Sequence, residues 1–159
     1  MLLAVFSDIH GNRQAFEACL KVARAKGVER FVLLGDFVGY GADPEWVVDT
    51  VMGLVREGAI AVRGNHDEAV NTTTEAMNAE AQIAIEWTRG RLDVAQRRFL
   101  AELPMLVDEK ERLYVHSEAS SPQRWHYVRS TADAAEGRAI GSSPSRQGHA
   151  GKRTRTGAS

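Results

Sequence analysis

The stretch LLAVFSDIHGN, residues 2–12, places an apolar run directly before a short polar string. The same arrangement recurs in FVLLGDFVGYG, residues 31–41, and in AIAVRGNHD, residues 59–67. Short apolar runs bounded by turn-forming residues indicate buried β-strands. In open α/β sheets, ligands bind beyond the carboxyl ends of the strands, so the three polar strings are predicted to meet in one crevice.

The segments between these apolar runs have helical spacing. Asp43 and Pro44 supply a capping residue followed by a proline at the first helical position. Gly27 and Gly58 mark where the two helices are predicted to stop. This β-α-β-α-β order predicts parallel strands joined by right-handed crossovers. The predicted apolar stripes are Phe16, Cys19, Leu20 and Ala23 in the first helix and Val47, Val48, Val51 and Val55 in the second.

Beyond residue 67 the pattern turns helical. Asp93 with Gln96 three residues later is the pattern of a capping box at a helix start, and Pro104 ends that helix. The helix before it is predicted to bury one face, formed by Ala76, Ala79, Ile83, Ala84 and Trp87.

Two short strands are predicted near the end of the body, over residues 105–107 and 113–115. The second delivers His116 at its end, which makes this a fourth strand end with a polar side chain. A helix is predicted over residues 131–139. Residues 1–140 are therefore predicted to form one α/β domain.

The composition is that of a globular protein in a reducing compartment. Hydrophobic residues make up 43% and charged residues 26% of the 159 residues. No apolar run approaches the 18 or so residues of a membrane helix, and the start of the chain lacks a signal-peptide pattern. The single cysteine, Cys19, excludes an internal disulfide and predicts a cytoplasmic location. Its place on an apolar stripe predicts a buried structural residue.

Residues 141–159 differ in composition from the rest of the chain. Their apolar side chains are Ala150 and Ala158, and five of the 20 basic residues lie from Arg138 onwards, whereas all 21 acidic residues lie at or before Glu136. Such a segment cannot bury enough surface to offset its ordering entropy, so it is predicted to be a disordered basic tail. With few basic residues and no aromatic residues between them, it does not predict a nucleic-acid partner.

Five side chains at the four strand ends form a set of metal-ligand types. Asp8 and His10 follow the first run, and in extended geometry residues two apart point the same way, so both can hold one ion. Asp36 has two oxygens and can bridge two ions, the second of which Asn65 and His116 would hold. Imidazole with carboxylate and amide oxygen suits Mn, Fe, Zn or similar ions.

A pair of such ions predicts phosphoester hydrolysis. Two cations roughly 3.5–4 Å apart convert a bridging water to hydroxide and bind the attacking and leaving oxygens of an in-line displacement. His66 is then free to stabilise charge on the phosphoryl group or to protonate the leaving oxygen, with Asp67 as an orienting partner. Arg63 and the helix start at Asn12 are candidate phosphate contacts. The predicted substrate is a small phosphoester, with nucleic acid expected only as a substrate.

Each string also has a structural explanation when taken alone. Asp8 or Asn12 can cap a helix. Gly35 with Asp36 is turn chemistry, and RGNHD contains turn-forming residues. The joint pattern favours the metal site, because all four strand ends carry hard ligands. A nucleotide-binding α/β domain without metal is the weaker alternative, since the loop after the first strand has a single glycine, Gly11.

The motifs D-x-H-G-N, G-D-x-x-G-Y-G and R-G-N-H-D, with a later V-H, resemble those of the calcineurin-like metallophosphoesterase superfamily. The continuation G-Y-G-x-x-P-x-x-V-V resembles small bacterial phosphodiesterase-type members, and the match runs over residues 1–140. The resemblance implies a metallophosphoesterase-type α/β sandwich of four layers with a dinuclear metal centre. It implies His66 as the catalytic histidine and, as metal ligands, Asp8, His10, Asp36, Asn65 and His116.

The end of the chain departs from that family pattern. The family continues with a further strand and G-H-x-H, whereas residues 147–151 read QGHAG, so His149 matches the first histidine and Gly151 stands at the second. No apolar strand precedes His149, so it is not expected to be a ligand. We hypothesise a truncated or frame-shifted member with its C-terminal strands missing, and with an uncovered sheet face or edge that favours a homo-oligomer. The alternative to an enzyme is a non-catalytic remnant that binds metal or phosphate.

Overall fold

The computed structural model describes residues 1–75, 77–109, 111–126 and 128–135, and a three-stranded parallel sheet lies at its centre. The strands are β1 (Leu3–Phe6), β2 (Arg30–Leu33) and β3 (Ile60–Ala61), in the order β1-β2-β3. Helices α1 (Arg13–Ala25) and α2 (Pro44–Arg56) connect them. The predicted β-α-β-α-β order and the parallel pairing are therefore confirmed.

The second part of the chain is mainly helical and ends in a hairpin. The order after β3 is α3 (Asn65–Ala69), α4 (Ala79–Arg91), α5 (Val94–Glu102), β4 (Leu106–Glu109) and β5 (Arg112–Val115). Strands β4 and β5 are antiparallel and form a separate two-stranded sheet. A 3-10 turn follows at Pro122–Arg124, and residues 131–135 are helical.

Alternation along the strands gives the central sheet two apolar faces. Leu33 and Ala61 belong to a cluster with buried residues of α1 and α2, whereas Val32 and Ile60 belong to a second cluster with Tyr114 of β5. Successive side chains of a strand point to opposite faces, so a strand buried on both faces needs a continuous apolar run. The sheet therefore lies between helices on one side and the β4–β5 hairpin on the other.

Capping side chains set the starts of two helices. Asn12 Oδ1 accepts the backbone N–H of the residue three positions on, at 3.0 Å, and so caps α1. Asp93 and Gln96 form the predicted reciprocal capping box at α5. Asp43 precedes α2 as predicted but makes no side-chain capping bond, so the proline in the first turn is what marks that start.

The face that α4 buries differs from the prediction. The structure buries Ala81, Ile85 and Thr88, whereas Ile83 is 72% exposed and Trp87 is 46% exposed. Apolar residues lie on most sides of this helix, so their spacing alone does not select a face. Contact with α2 makes the selection. A threonine is tolerated inside because its hydroxyl donates to the carbonyl one turn earlier, at 2.8 Å.

Cys19 is exposed rather than buried, although Phe16, Leu20 and Ala23 of the predicted stripe are buried. It lines a groove between α1 and β1 together with Val5, which is 55% exposed. Strand β1 is an edge strand, and among the described residues no further strand pairs with it. The side of the helix that faces this open edge therefore stays accessible, which is why the prediction for Cys19 is wrong.

Some predictions concern residues that the structure does not describe. They are the disordered tail at residues 141–159, the status of His149 and the burial of Ala76. The domain boundary at residue 140 and the hypothesis about the chain's end likewise stay predictions. Within the described ranges, no helix combines the length and the apolar character needed to cross a bilayer.

Candidate metal centre

Side chains from four strand ends converge on the carboxylate of Asp36. Its Oδ2 lies 3.8 Å from His10 Nε2, beyond β1, and 3.4 Å from His116 Nε2, beyond β5. Asn65, the first residue of α3, places its Oδ1 3.2 Å from the same nitrogen of His116. Asp8 Oδ1 lies 3.8 Å from His10 Nε2. The five side chains are therefore within reach of one another in the predicted crevice.

The ligand atoms form two groups that share Asp36. One group is His10, Asp36 and His66, the other is Asp8, Asp36 and His116, and the atoms of each group lie within 4.8 Å of one another. Asp8 and His10 are not extended, since their φ angles are 55° and 48°. This left-handed backbone turns the chain after β1, so the alternation of a strand no longer aligns the two side chains. The extended geometry predicted for this pair is therefore wrong, but Asp8 Oδ1 and His10 Nε2 still lie 3.8 Å apart, and the prediction that both hold one ion stays a prediction.

Backbone carbonyls set the orientation of two imidazoles in the centre. His10 Nδ1 donates to the Val38 carbonyl at 3.0 Å, and His116 Nδ1 donates to the Leu34 carbonyl at 2.6 Å. With Nδ1 donating to a carbonyl, Nε2 is the ring atom of each histidine that faces Asp36. Metal-binding histidines generally have such a partner, because it fixes the tautomer and the ring direction.

The charges around Asp36 favour its ionised form. Burial by itself raises the pKa of Asp36, but the hydrogen bond and charge of His116 outweigh it and hold the pKa below its usual value. Burial by itself lowers the pKa of His116, but the hydrogen bond and charge of Asp36 outweigh it and raise that pKa to about 9. In the metal-free protein His116 is therefore protonated near neutral pH, and a bound cation would replace that charge.

His66 is a buried neutral imidazole beside these groups. Burial lowers its pKa by more than the charge of Asp36 raises it. Its Nδ1 is buried without a hydrogen-bond partner among the described residues, and a β-carbon at Gly39 would lie 2.5 Å from that atom. A buried polar atom without a partner costs about 1–3 kcal/mol, so stability does not explain why the ring is placed here.

Asp67 holds backbone rather than the His66 ring. Its Oδ1 accepts the Phe37 N–H at 2.9 Å, and its Oδ2 accepts the N–H groups of Asp36 at 2.8 Å and Gly64 at 2.9 Å. Burial and the neighbouring charge of Asp36 raise the pKa of Asp67 to about 7, against the effect of these three hydrogen bonds. The prediction that Asp67 orients His66 is therefore wrong. Asp67 instead ties the loop after β2 to the loop after β3.

The two predicted phosphate contacts have structural roles instead. Arg63 donates from Nη1 to the Ala101 carbonyl at 2.9 Å and from Nε to Met105 Sδ at 3.3 Å. Its guanidinium therefore binds the end of α5 and the segment that follows. Asn12 caps α1, which is the structural alternative that the sequence left open. Both side chains therefore have hydrogen-bond partners within the protein.

Two aromatic residues lie beside the centre that the sequence does not single out. The ring centroid of Tyr40 is 4.9 Å from those of His10 and His66. The ring of Trp125 is 6.0 Å from that of His116. Tyr40 stands between two glycines in the loop after β2, and loops at strand ends often carry side chains that contact a ligand. Trp125 lies in the 3-10 turn region and has no comparable signal in its neighbours.

The donor set fits divalent metal ions. Both groups combine carboxylate oxygen with imidazole nitrogen, and the amide oxygen of Asn65 lies against the second group. These are the ligand types of Mn, Fe and Zn. The carboxylate of Asp36 is common to both groups, which is the arrangement that a bridging ligand requires.

The chain is similar in sequence to known proteins. The family model described as calcineurin-like phosphoesterase matches residues 1–133. The uncharacterized protein MJ0912 of Methanocaldococcus jannaschii is 33% identical over 133 residues, which are 80% of this chain and 54% of that protein.

Solved structures show the same relationship. A metallophosphoesterase from Sphaerobacter thermophilus is 33% identical, with a TM-score of 0.66 over 79% of this chain and 50% of that one. A structure described as a putative diadenosine tetraphosphatase is 24% identical, with a TM-score of 0.57 over 74% and 50% of the two chains, and shows likeness of fold alone. The chain spans about half the length of these relatives. Since the family model covers nearly all of the described residues, the chain belongs to the calcineurin-like phosphoesterase family.

Proposed function

We propose that this chain is a metal-dependent phosphoester hydrolase that uses two divalent cations. The observation that carries the proposal is the pair of ligand groups that share the carboxylate of Asp36. Asp36 would bridge the cations, with His10 on one side and Asn65 and His116 on the other. Asp8 stands in the group of His116 and is also 3.8 Å from His10 Nε2, so it is within reach of either cation.

The protein side chains would divide the remaining work between them. When bound, the cations supply a shared water of lowered pKa and positive charge for the phosphoryl oxygens. His66 Nδ1 is enclosed at Gly39, so Nε2 is the atom available to substrate. A neutral His66 with its proton on Nε2 would donate a hydrogen bond to a phosphoryl oxygen or to the leaving oxygen. Asp67 would fix the position of Asp36 relative to His66, because it accepts hydrogen bonds from the backbone of both loops that carry them.

The proposal extends to the ions, the substrates and the location. Mn, Fe and Zn are the proposed ions, because their preferred ligands match the donor set. The proposed substrates are small phosphoesters, either monoesters, diesters or dinucleotides. One structural relative carries the name of a putative diadenosine tetraphosphatase, which supports including dinucleotide polyphosphates. The cytoplasmic location stays a prediction from the single cysteine.

The direct test is hydrolysis of a chromogenic phosphodiester by the purified chain loaded with Mn²⁺. We expect turnover that a chelator removes and that Asp36→Ala and His66→Ala abolish. Glu80→Gln, which neutralises an exposed carboxylate at the start of α4, is the matched control and should retain turnover. A folded wild-type protein that hydrolyses no phosphoester with Mn²⁺, Fe²⁺ or Zn²⁺ would contradict the proposal.

A metal-binding protein without turnover is the second candidate. Among the described residues the first group contains no more than His10, Asp36 and His66, so His66 could serve as a ligand instead of acting on substrate. Calorimetric titration of His66→Gln with Mn²⁺ separates the two roles. Two bound ions without turnover support action on the substrate, whereas loss of one ion supports a ligand. Two ions bound by the wild type without turnover would favour the binding protein.

A further inference from the structure

A cavity of about 410 Å³ adjoins the metal centre. Asn65 and His66 line it, and so do Tyr40 from the loop after β2 and Trp125 from the 3-10 turn region. A volume of this size lies within the range of small-molecule sites. The cavity therefore has room for the organic part of a phosphoester whose phosphoryl group lies at the metal centre.

Each of the two aromatic rings of the cavity lies next to a histidine of a different ligand group. Tyr40 is 53% exposed, and its ring lies 4.9 Å from that of His66. Trp125 lies 6.0 Å from the His116 ring, and its Nε1 donates to Glu68 Oε2 at 2.7 Å. This hydrogen bond fixes the direction of the indole, which lines the cavity. Aromatic rings next to a reaction centre are suited to binding a flat, apolar ring.

The rest of the cavity wall combines one cationic and one anionic side chain, Arg124 and Glu68, with small polar and apolar side chains. Arg124 lines the cavity beside Trp125 and brings positive charge to it. Ala69 and Ala81 are buried beneath its surface, and Met77 contributes a flexible apolar side chain. This wall is suited to a ligand with a planar apolar part and a negatively charged part.

We propose that this cavity binds an aromatic heterocycle joined to the phosphate, so that the preferred substrates are nucleotides or nucleotide-containing phosphoesters. The inference rests on the proposed function, because it takes the metal centre as the place of the phosphoryl group. The base stacks on Trp125 or Tyr40, and Arg124 binds negative charge on the phosphate chain. Every base can stack on an aromatic face. The cavity is therefore expected to favour ligands that carry a base over ligands that lack one, without distinguishing between bases.

The test compares the binding of AMP and ribose phosphate to the full Mn²⁺-loaded chain by calorimetry. The two ligands share the sugar and the phosphate and differ in the base. We expect the wild type to bind AMP about tenfold more tightly, which is within the effect of stacking one base. Trp125→Leu and Tyr40→Leu should each lower that ratio several-fold. Tyr40→Phe and Trp87→Leu are the matched controls, because the first keeps the ring and the second removes an indole outside the cavity.

Equal affinities in the wild type would overturn the proposal, and so would an unchanged ratio in both leucine variants. Circular dichroism checks the fold, and the half-exposed Tyr40 keeps the test valid if Trp125→Leu does not fold. Preference for AMP without hydrolysis of any phosphoester would refute the proposed function and leave the base site intact. Hydrolysis without that preference would refute the base site alone.

Discussion

Asp36 and His116 carry a proton between them that a metal ion has to displace. Their Oδ2 and Nε2 atoms are 3.4 Å apart, and the carboxylate holds the histidine pKa at about 9. A metal ion binds the neutral imidazole, so its affinity rises with pH until His116 has lost the proton. As the pH rises, the stability of the metal-free protein is therefore expected to fall, whereas its affinity for metal is expected to rise.

We expect the metal-free protein to lose stability as the pH rises from 7 to 9. The folded-state pKa of His116 lies near 9, above the ordinary value of 6.5, so its contribution is full below 6.5 and is lost as the pH passes 9. Thermal melts in chelator at pH 7, 8 and 9 measure the slope. His116→Gln should have a flatter slope, and an equal slope in both proteins would show that His116 is not the cause.

Asp67→Asn should destabilise the protein by about 1–3 kcal/mol, because an amide N–H₂ would face backbone N–H groups that now donate to a carboxylate oxygen. Urea unfolding measures the free energy. Asp93→Asn is the matched control, since asparagine caps a helix as well as aspartate does and the change should be close to zero. Equal losses in the two variants would remove the special role assigned to Asp67.

At the scale of elements, the loops after β2 and β3 are held so close that only glycine fits between them. A β-carbon at Gly35 would lie 2.5 Å from the backbone nitrogen of Gly64, and one at Gly64 would lie 2.1 Å from Asp36 Oδ1. This close approach brings Asp36 and Asn65 to the same place. The glycines are therefore part of the metal centre, although they contribute no ligand atom.

Gly35→Ala should destabilise the fold and weaken Mn²⁺ binding more than Gly58→Ala does. Both glycines have left-handed φ angles, of 89° and 99°, so both variants carry a backbone cost of about 1–2 kcal/mol. A β-carbon at Gly58 meets nothing within 4 Å, whereas the one at Gly35 must move the loop after β3. Urea unfolding and calorimetric titration of both variants test this, and matching effects would refute the close-approach argument.

At the scale of the whole molecule, the edge of the sheet at β1 bears on whether copies of the chain associate. In the part of the chain that the structure describes, β1 has one unpaired edge, beside a groove lined by Val5, Cys19 and Val22, of which Val5 and Val22 are 55% and 54% exposed. An unpaired apolar edge is a template for another strand. The homo-oligomer is predicted from strands hypothesised to be missing at the end of the chain, and this edge is where we expect two copies to meet.

We expect the mass of the wild-type protein in sedimentation velocity to rise with concentration, and Val5→Lys to suppress that rise. A lysine on an edge strand opposes pairing because its charge would have to be buried. Ile83→Lys, on the exposed side of α4, is the control for charge alone and should associate like the wild type. A wild type that stays monomeric, or equal suppression by both variants, would contradict the expectation.

Much of the fold and the site could be predicted because the signals are local. An apolar run followed by an acidic, amide or histidine residue places that residue at a strand end, wherever the strand lies. Asp36, Asn65 and His116 were located in this way. The roles of Asp67 and Arg63 could not be located in this way, because packing decides which backbone groups lie near these side chains.

The sequence by itself determined the α/β order, the parallel strands, the capping box at Asp93 and the strand ends that carry ligand-type residues. The tertiary structure decided the rest: the left-handed backbone at Asp8 and His10, the buried face of α4 and the pairing of Asp36 with His116. Periodicity and capping act over a few residues and are visible in the chain. Contacts between residues 80 positions apart depend on packing, and no local pattern encodes which atoms then meet.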